Sequence, residues 1–324
     1  MVHFHTESSL RWTRRECLKA IGATVVSRPL FAARSTDLKS KAKENLKLAV
    51  LSTVYKQFPL ETAARRIKED GFSGVVSDFI FADVKFDGLS PDWEAAREIT
   101  SCFERNGLRL AGIAAYYNVV DPNSERRIKG EKRIRCYIEN WKRLGSPIIC
   151  TGSGSFNRES EWSESPENEK ESAYQDCRSR IQDLVTIAQK TGAMLAIEAY
   201  WRNIINSVTR NQRLFNDIHS PALGLVMDPC NYFRNQDLPK MQPMLEEIFH
   251  RVGKKTVLAH AKDLKASPNG PDLPAAGLGA LDYPLFLKLL ASLDRPLYLA
   301  LEHLGPEDVP RAREYVLEQF KKIA

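Results

Sequence analysis

Four ionisable residues in the second half of the chain stand where short apolar runs stop. Glu198 follows "MLAI", Asp228 follows "LGLVM", His260 interrupts "VLAHAKD", and Glu302 follows "LAL", at intervals of 30, 32 and 42 residues. Brought together away from water, three carboxylates and an imidazole repel or titrate one another unless a cation joins them. A divalent metal resolves the conflict. Oxygen and nitrogen donors without thiolate suit Mn²⁺, Mg²⁺, Co²⁺ or Zn²⁺ better than a structural zinc or an iron–sulfur cluster. Cys230, two residues after Asp228, falls on a turn and is expected to face away from the metal. Lys262 lies two residues beyond His260 on the same run, so its ammonium points to the same place; Asp263 is the neighbour expected to orient it.

The elements that must deliver these side chains show one rhythm, an apolar run followed by an amphipathic one, eight times from residue 45 onward. The runs are "LKLAVLS" (46–52), "SGVVSDF" (73–79), "LRLAGIAAY" (108–116), "PIICTG" (147–152), "MLAIEAY" (194–200), "LGLVMD" (223–228), "TVLAHAKD" (256–263) and "PLYLALEH" (296–303). Short continuous apolar runs suit parallel strands covered on both faces. Between them, segments such as "LETAARRIKEDG" (60–71), "DWEAAREITSCFERNG" (92–107) and "EKRIRCYIENWKRLG" (131–145) have helical periodicity and end on glycine. Eight alternations predict an α/β fold, a single-domain (β/α)8 TIM barrel over residues 45–322. The rival, an open doubly wound sheet, favours a glycine-rich turn after its first strand, and "LSTVYKQFP" (51–59) has no glycine. In a barrel the strands end at the face that carries chemistry, so the four residues converge from neighbouring strands.

Composition narrows the function classes. Of the formal charge of +6, residues 1–35 contribute +4, leaving the remainder near neutral, without the basic stripe of a nucleic-acid binder. "TRRECLK" before "AIGATVV" (13–26) resembles a twin-arginine export signal, which predicts a segment of about 1–35 that is removed and a periplasmic mature protein; the alternative is a basic tail on a cytoplasmic one. No run reaches the roughly 18–20 apolar residues of a membrane span. Six cysteines without a CxxC pair, five of them after the signal-like segment, argue against a disulfide framework. Assembly into a homo-oligomer is left open.

The order of "IEAYWRN", "GLVMDPCNYF", "LAHAKD", "GLGALDY" and "LALEH" resembles the xylose isomerase-like TIM-barrel superfamily of sugar isomerases and epimerases. The resemblance implies that Glu198, Asp228, His260 and Glu302 bind the metal. It also implies that Glu198 and Glu302 move a proton at the carbon beside a sugar carbonyl, through a cis-enediolate. Lys262, by its place on the strand beyond His260, is the catalytic candidate for neutralising an enediolate oxygen or a substrate hydroxyl. Relatives carry Asp-Pro-x-His where this chain has Asp228, Pro229, Cys230 and Asn231, so Asn231 can bond a hydroxyl but not act as a cation. Relatives often end the second strand "GVE", where this chain has Val76, Ser77 and Asp78.

Around the proposed metal, Trp201, Arg202 and Asn203 follow Glu198 and form an expected sugar-contacting edge, with Tyr116 and Asn231 as further substrate contacts. "WSESPENEKES" (162–172) reads as a solvated loop feeding a helix, and His303 as a residue turned away from the site. The expected partner is a small carbohydrate. A lyase or dehydratase acting on a keto-sugar, 3-keto-glycoside or keto-inositol would use the same site. A nuclease of the endonuclease IV type needs more histidines than the four that follow residue 35. A non-catalytic sugar-binding protein would hold no metal.

Overall fold

All eight apolar runs are strands in the computed structural model, which describes residues 35–323. They are β1 (Leu46–Leu51), β2 (Gly74–Ser77), β3 (Arg109–Ala114), β4 (Ile148–Gly152), β5 (Met194–Glu198), β6 (Leu223–Met227), β7 (Thr256–Ala261) and β8 (Leu297–Leu301). Each pairs in parallel with the next, and β8 returns to β1 with Leu46 opposite Leu297, closing the barrel. The twin-arginine-like segment lies outside the described residues.

Helices alternate with the strands, and local chemistry sets their ends. Asp92 accepts hydrogen bonds from the amides of Glu94 (3.0 Å) and Ala95 (3.1 Å) at the start of Trp93–Arg105. The helix expected over 131–145 is two pieces, Ser124–Glu139 and Trp141–Leu144, parted at Asn140, whose Nδ2 bonds back to the Cys136 carbonyl at 2.9 Å. A helix not foreseen from the pattern, Ser35–Asn45, precedes β1 and packs on Tyr283–Ala291 and Val309–Lys321 through residues that include the buried Leu38 and Ala42. Among the described residues no helix is long and apolar enough to cross a membrane, and Cys102, Cys136, Cys150, Cys177 and Cys230 are free thiols.

The barrel interior explains the site above it. One residue from each strand joins a buried cluster inside the barrel: Ala49, Val76, Ala111, Cys150, Ala196, Val226, Leu258 and Ala300. A strand's side chains alternate, so the residue two places further on faces the same interior at the mouth. From Ala196 that is Glu198, from Val226 Asp228, from Leu258 His260 and from Ala300 Glu302. Alanine lies below each glutamate, at Ala196 and Ala300, whereas Val226 and Leu258 lie below Asp228 and His260.

Candidate active site

The structure brings these four side chains to one point. One ligand atom from each of Glu198, Asp228, His260 and Glu302 lies within 4.8 Å of the others, and all four residues are buried. His260 Nδ1 stands between the two glutamates, 3.4 Å from Glu198 Oε1 and 3.3 Å from Glu302 Oε2. Neither ring nitrogen of His260 makes a hydrogen bond.

Each carboxylate is steadied from its far side. Glu198 accepts from Asn231 Nδ2 at 2.7 Å and from the Tyr116 hydroxyl. Asp228 accepts from the Cys230 amide at 3.1 Å, and its other oxygen is 2.7 Å from Lys262 Nζ, which also reaches Glu302 Oε1 at 2.8 Å. Asp263 does not orient Lys262, as the sequence suggested. Its carboxylate accepts instead from the amides of Leu264, Gly277 and Leu281, each at 2.9 Å, and pins the loop after β7. Cys230 turns away from the carboxylates as expected, its thiol on the Lys262 carbonyl at 3.5 Å.

Burial and charge oppose each other here. Burial pushes the Asp228 carboxyl up to about 7 although Lys262 pulls it down. Burial also raises Glu302, but Lys262 and His260 outweigh it and hold that carboxyl well below its usual range. Glu198 is lowered as well, because His260 overcomes its burial. Burial alone would lower His260 and Lys262; the glutamates raise the first, and Asp228 with the glutamates raises the second. The groups titrate as one cluster.

A cavity of about 370 Å³ opens above this floor, lined by Leu51, Tyr116, Trp162, Tyr200, Leu273 and His303 as well as Glu198, Asn231, Lys262 and Glu302. Trp201, Arg202 and Asn203 are not part of that lining, which corrects the sequence expectation. After Glu198 the chain turns, with the Asn203 amide on the Tyr200 carbonyl at 2.8 Å and the Trp201 amide on the Asn231 carbonyl at 2.9 Å. Trp201 is thereby buried between the guanidiniums of Arg202 and Arg234, 4.4 and 5.0 Å from its ring. The chain crosses so closely over the indole at Gly270 that a Cβ there would lie 2.6 Å from it. Arg202 is spent on the Asn269 carbonyl (2.5 Å), and Asn203 on the Glu161 carbonyl (2.7 Å).

Five lining residues were not expected: the aliphatic Leu51 and Leu273, and three that carry rings. Tyr200 occupies the place assigned to Trp201. Trp162 stands in the loop read as merely solvated, 45% exposed, with its ring 6.0 Å from Tyr116 and 6.1 Å from Tyr200. That loop is anchored by Asn168, which bonds Ser155 Oγ (2.9 Å) and the Arg202 carbonyl (2.8 Å). His303 faces the cavity because its backbone takes φ of 59°, and its Nδ1 lies 2.7 Å from the Leu273 carbonyl. A lone tryptophan beside an acidic polar stretch was the signal for Trp162; a left-handed turn at His303 leaves none in sequence.

Residues 64–321 match the xylose isomerase-like TIM barrel family. The chain belongs to that family. Its solved relatives share the fold at low identity. A xylose isomerase-like TIM barrel protein from Mycobacterium smegmatis in complex with magnesium is 17% identical, with a TM-score of 0.65 over 87% of this chain and 99% of that one. A D-tagatose 3-epimerase-like protein is 16% identical, with a TM-score of 0.67 over 86% and 98%. The 3-keto-D-glucoside 4-epimerase from E. coli is 18% identical, with a TM-score of 0.60 over 86% and 99%. No curated protein matches the sequence.

The donors of this xylose isomerase-like barrel fit a divalent ion. A buried imidazole with no hydrogen bond on either nitrogen is costly, and such an orphan needs a partner. Nδ1 has two carboxylate oxygens within 3.4 Å and makes a hydrogen bond with neither, so a cation at this point would satisfy the ring and both acids together. Three oxygen donors and one nitrogen are hard to borderline ligands, and Cys230 is turned elsewhere.

Proposed function

We propose that this chain is a divalent-metal-dependent sugar epimerase or isomerase that moves a proton at the carbon beside a carbonyl. The observation that carries the reading is the pair Glu198 and Glu302, set on either side of His260 in the floor of one cavity. A divalent ion held by Glu198, Asp228, His260 and Glu302 would polarise the carbonyl and make the neighbouring proton acidic.

The protein's own groups do the rest. One glutamate removes the proton as a carboxylate and the other returns one, so the substrate passes through a cis-enediolate. Tyr116 and Asn231 hold Glu198 at a fixed angle, and Lys262 does the same for Glu302. The Lys262 ammonium also places positive charge beside the developing oxyanion. Tyr200, Trp162 and Tyr116 offer flat apolar faces to a sugar ring, taking the role first assigned to Trp201 and its neighbours. The epimerase relatives support this reaction class.

Incubating the metal-loaded protein with ketoses, keto-glycosides and inososes in D₂O tests the reading. Deuterium enters the carbon beside the carbonyl. Exchange without net loss marks an epimerase or isomerase, whereas loss of water or aglycone marks the lyase reading. No exchange with any member of the panel sinks both. We also infer export from the Arg14–Arg15 pair; a double Arg→Lys variant that still reaches the periplasm refutes it.

A further inference from the structure

Lys262 is more than an ammonium near the substrate. It is 3% exposed at the end of β7, and its Nζ contacts Asp228 Oδ2 at 2.7 Å and Glu302 Oε1 at 2.8 Å, two carboxylates that a metal must also use. Its backbone is fixed, because its carbonyl accepts from the Tyr283 hydroxyl at 2.8 Å and its segment bridges to Ala275. Asp263, the nearest alternative anion in sequence, is committed to three backbone amides. The ammonium is therefore built into the carboxylate cluster and has no buried carboxylate of its own elsewhere among the residues described here.

We propose that Lys262 is a resident counter-cation that shares Asp228 and Glu302 with the divalent ion and holds the affinity for that ion down. The inference rests on the metal-centre reading above and concerns how firmly the ion is held. Three carboxylates around one divalent ion leave a net negative charge, and the lysine cancels it. The same ammonium repels the ion across a short, dry distance, where charges are weakly screened. It also donates to a Glu302 oxygen that an ion would otherwise command, and it lies against the Asp228 oxygen as an ion pair. A centre with three carboxylates and no lysine would trap its metal; with the lysine, the metal exchanges.

The test titrates Mn²⁺ calorimetrically into the full chain, stripped with a chelator, as wild type, Lys262→Met and Lys262→Gln, with circular dichroism confirming the fold of each. Both variants are expected to bind Mn²⁺ at least tenfold more tightly, about 1.4 kcal/mol. The gap in Tm between loaded and stripped protein should widen as well, because the stripped variants have lost a cation from among three buried carboxylates. Affinity equal to or weaker than wild type in the folded variants overturns the proposal and leaves the metal centre standing. Absence of binding in wild type and both variants overturns both. If Lys262→Met does not fold, Lys262→Gln, which keeps a polar head and removes only the charge, decides.

Discussion

The two halves of the barrel mouth are built from the same backbone and carry opposite chemistry. In β5 to β8, the position two residues above the interior cluster is Glu198, Asp228, His260 and Glu302. The corresponding positions above Ala49, Val76 and Cys150 are Leu51, Asp78 and Gly152. Asp78 is the one acid among them, and it is engaged elsewhere, accepting from Ser52 Oγ at 2.8 Å and the Ile80 amide at 3.2 Å. The first half instead contributes Leu51, Tyr116 and, through the loop after β4, Trp162. The second half carries the four possible metal ligands together with Tyr200 and Leu273, whereas the first shapes and shields the cavity. A substrate bound there would meet carboxylates at the floor and apolar faces around them.

The largest effects should come from the charged half. Glu302→Gln or Glu198→Gln removes a proton carrier, and exchange of the substrate proton with D₂O should fall by about 10²–10⁴-fold with the fold intact by circular dichroism. Wild-type exchange in either variant would break the two-glutamate mechanism. Next come the residues that connect the halves. Tyr116→Phe and Asn231→Ala each remove one donor from Glu198, and a loss of roughly 10–100-fold in activity or metal affinity is expected. Tyr116 belongs to the neutral half by position, so a large effect there would show that the halves are coupled through Glu198.

Much of this was legible because both signals are physical. A strand covered on both faces must be apolar, so a charged residue at its C-terminal end marks the mouth, and the period of two fixes which residues face inward. That is why Glu198, Asp228, His260 and Glu302 could be placed together before any coordinates. The rest of the lining gave no such mark. Apart from Leu51 at the end of β1, it comes from segments beyond the strands, where backbone turns rather than alternation decide direction. Trp201 is the clearest instance: adjacency to Glu198 suggested the site, but the turn closed by the Asn203 amide sends its indole under Gly270 and brings Tyr200 forward. Asp263 misled in the same way, since its partners are amides 14 and 18 residues further on.

Smaller effects are expected from the apolar wall. Trp162→Ala should raise KM by roughly 2–10-fold, the equivalent of about 0.5–1.5 kcal/mol for an aromatic contact, with kcat nearly unchanged. A fall in kcat as large as that of the glutamate variants would mean that the wall positions the reacting carbon and is not merely a face for the ring.

The smallest effect lies in the loop that carries this wall. Glu161 precedes Trp162, is half-buried, and its carboxyl is raised above its ordinary 4.5 by burial and by Asp121, while Arg126 compensates only in part. An acid whose folded pKa exceeds its unfolded one binds more protons when folded, so its contribution to stability is greatest at low pH. That contribution declines as pH rises from about 4.5 through the raised value. Once ionised, the carboxylate strains the docking of the loop on Asn203, which holds the Glu161 carbonyl at 2.7 Å. Glu161→Gln removes the charge at every pH. The variant should therefore be slightly more stable at pH 7 and indistinguishable from wild type near pH 4, as read from Tm across that range. Protection of the amides of residues 159–164 from hydrogen exchange should rise in the variant at pH 7 while the barrel strands keep theirs, since the charged half does not depend on this loop for its fold. An unchanged Tm together with unchanged loop protection would mean that Trp162 is held by Asn168 and Ser155 alone.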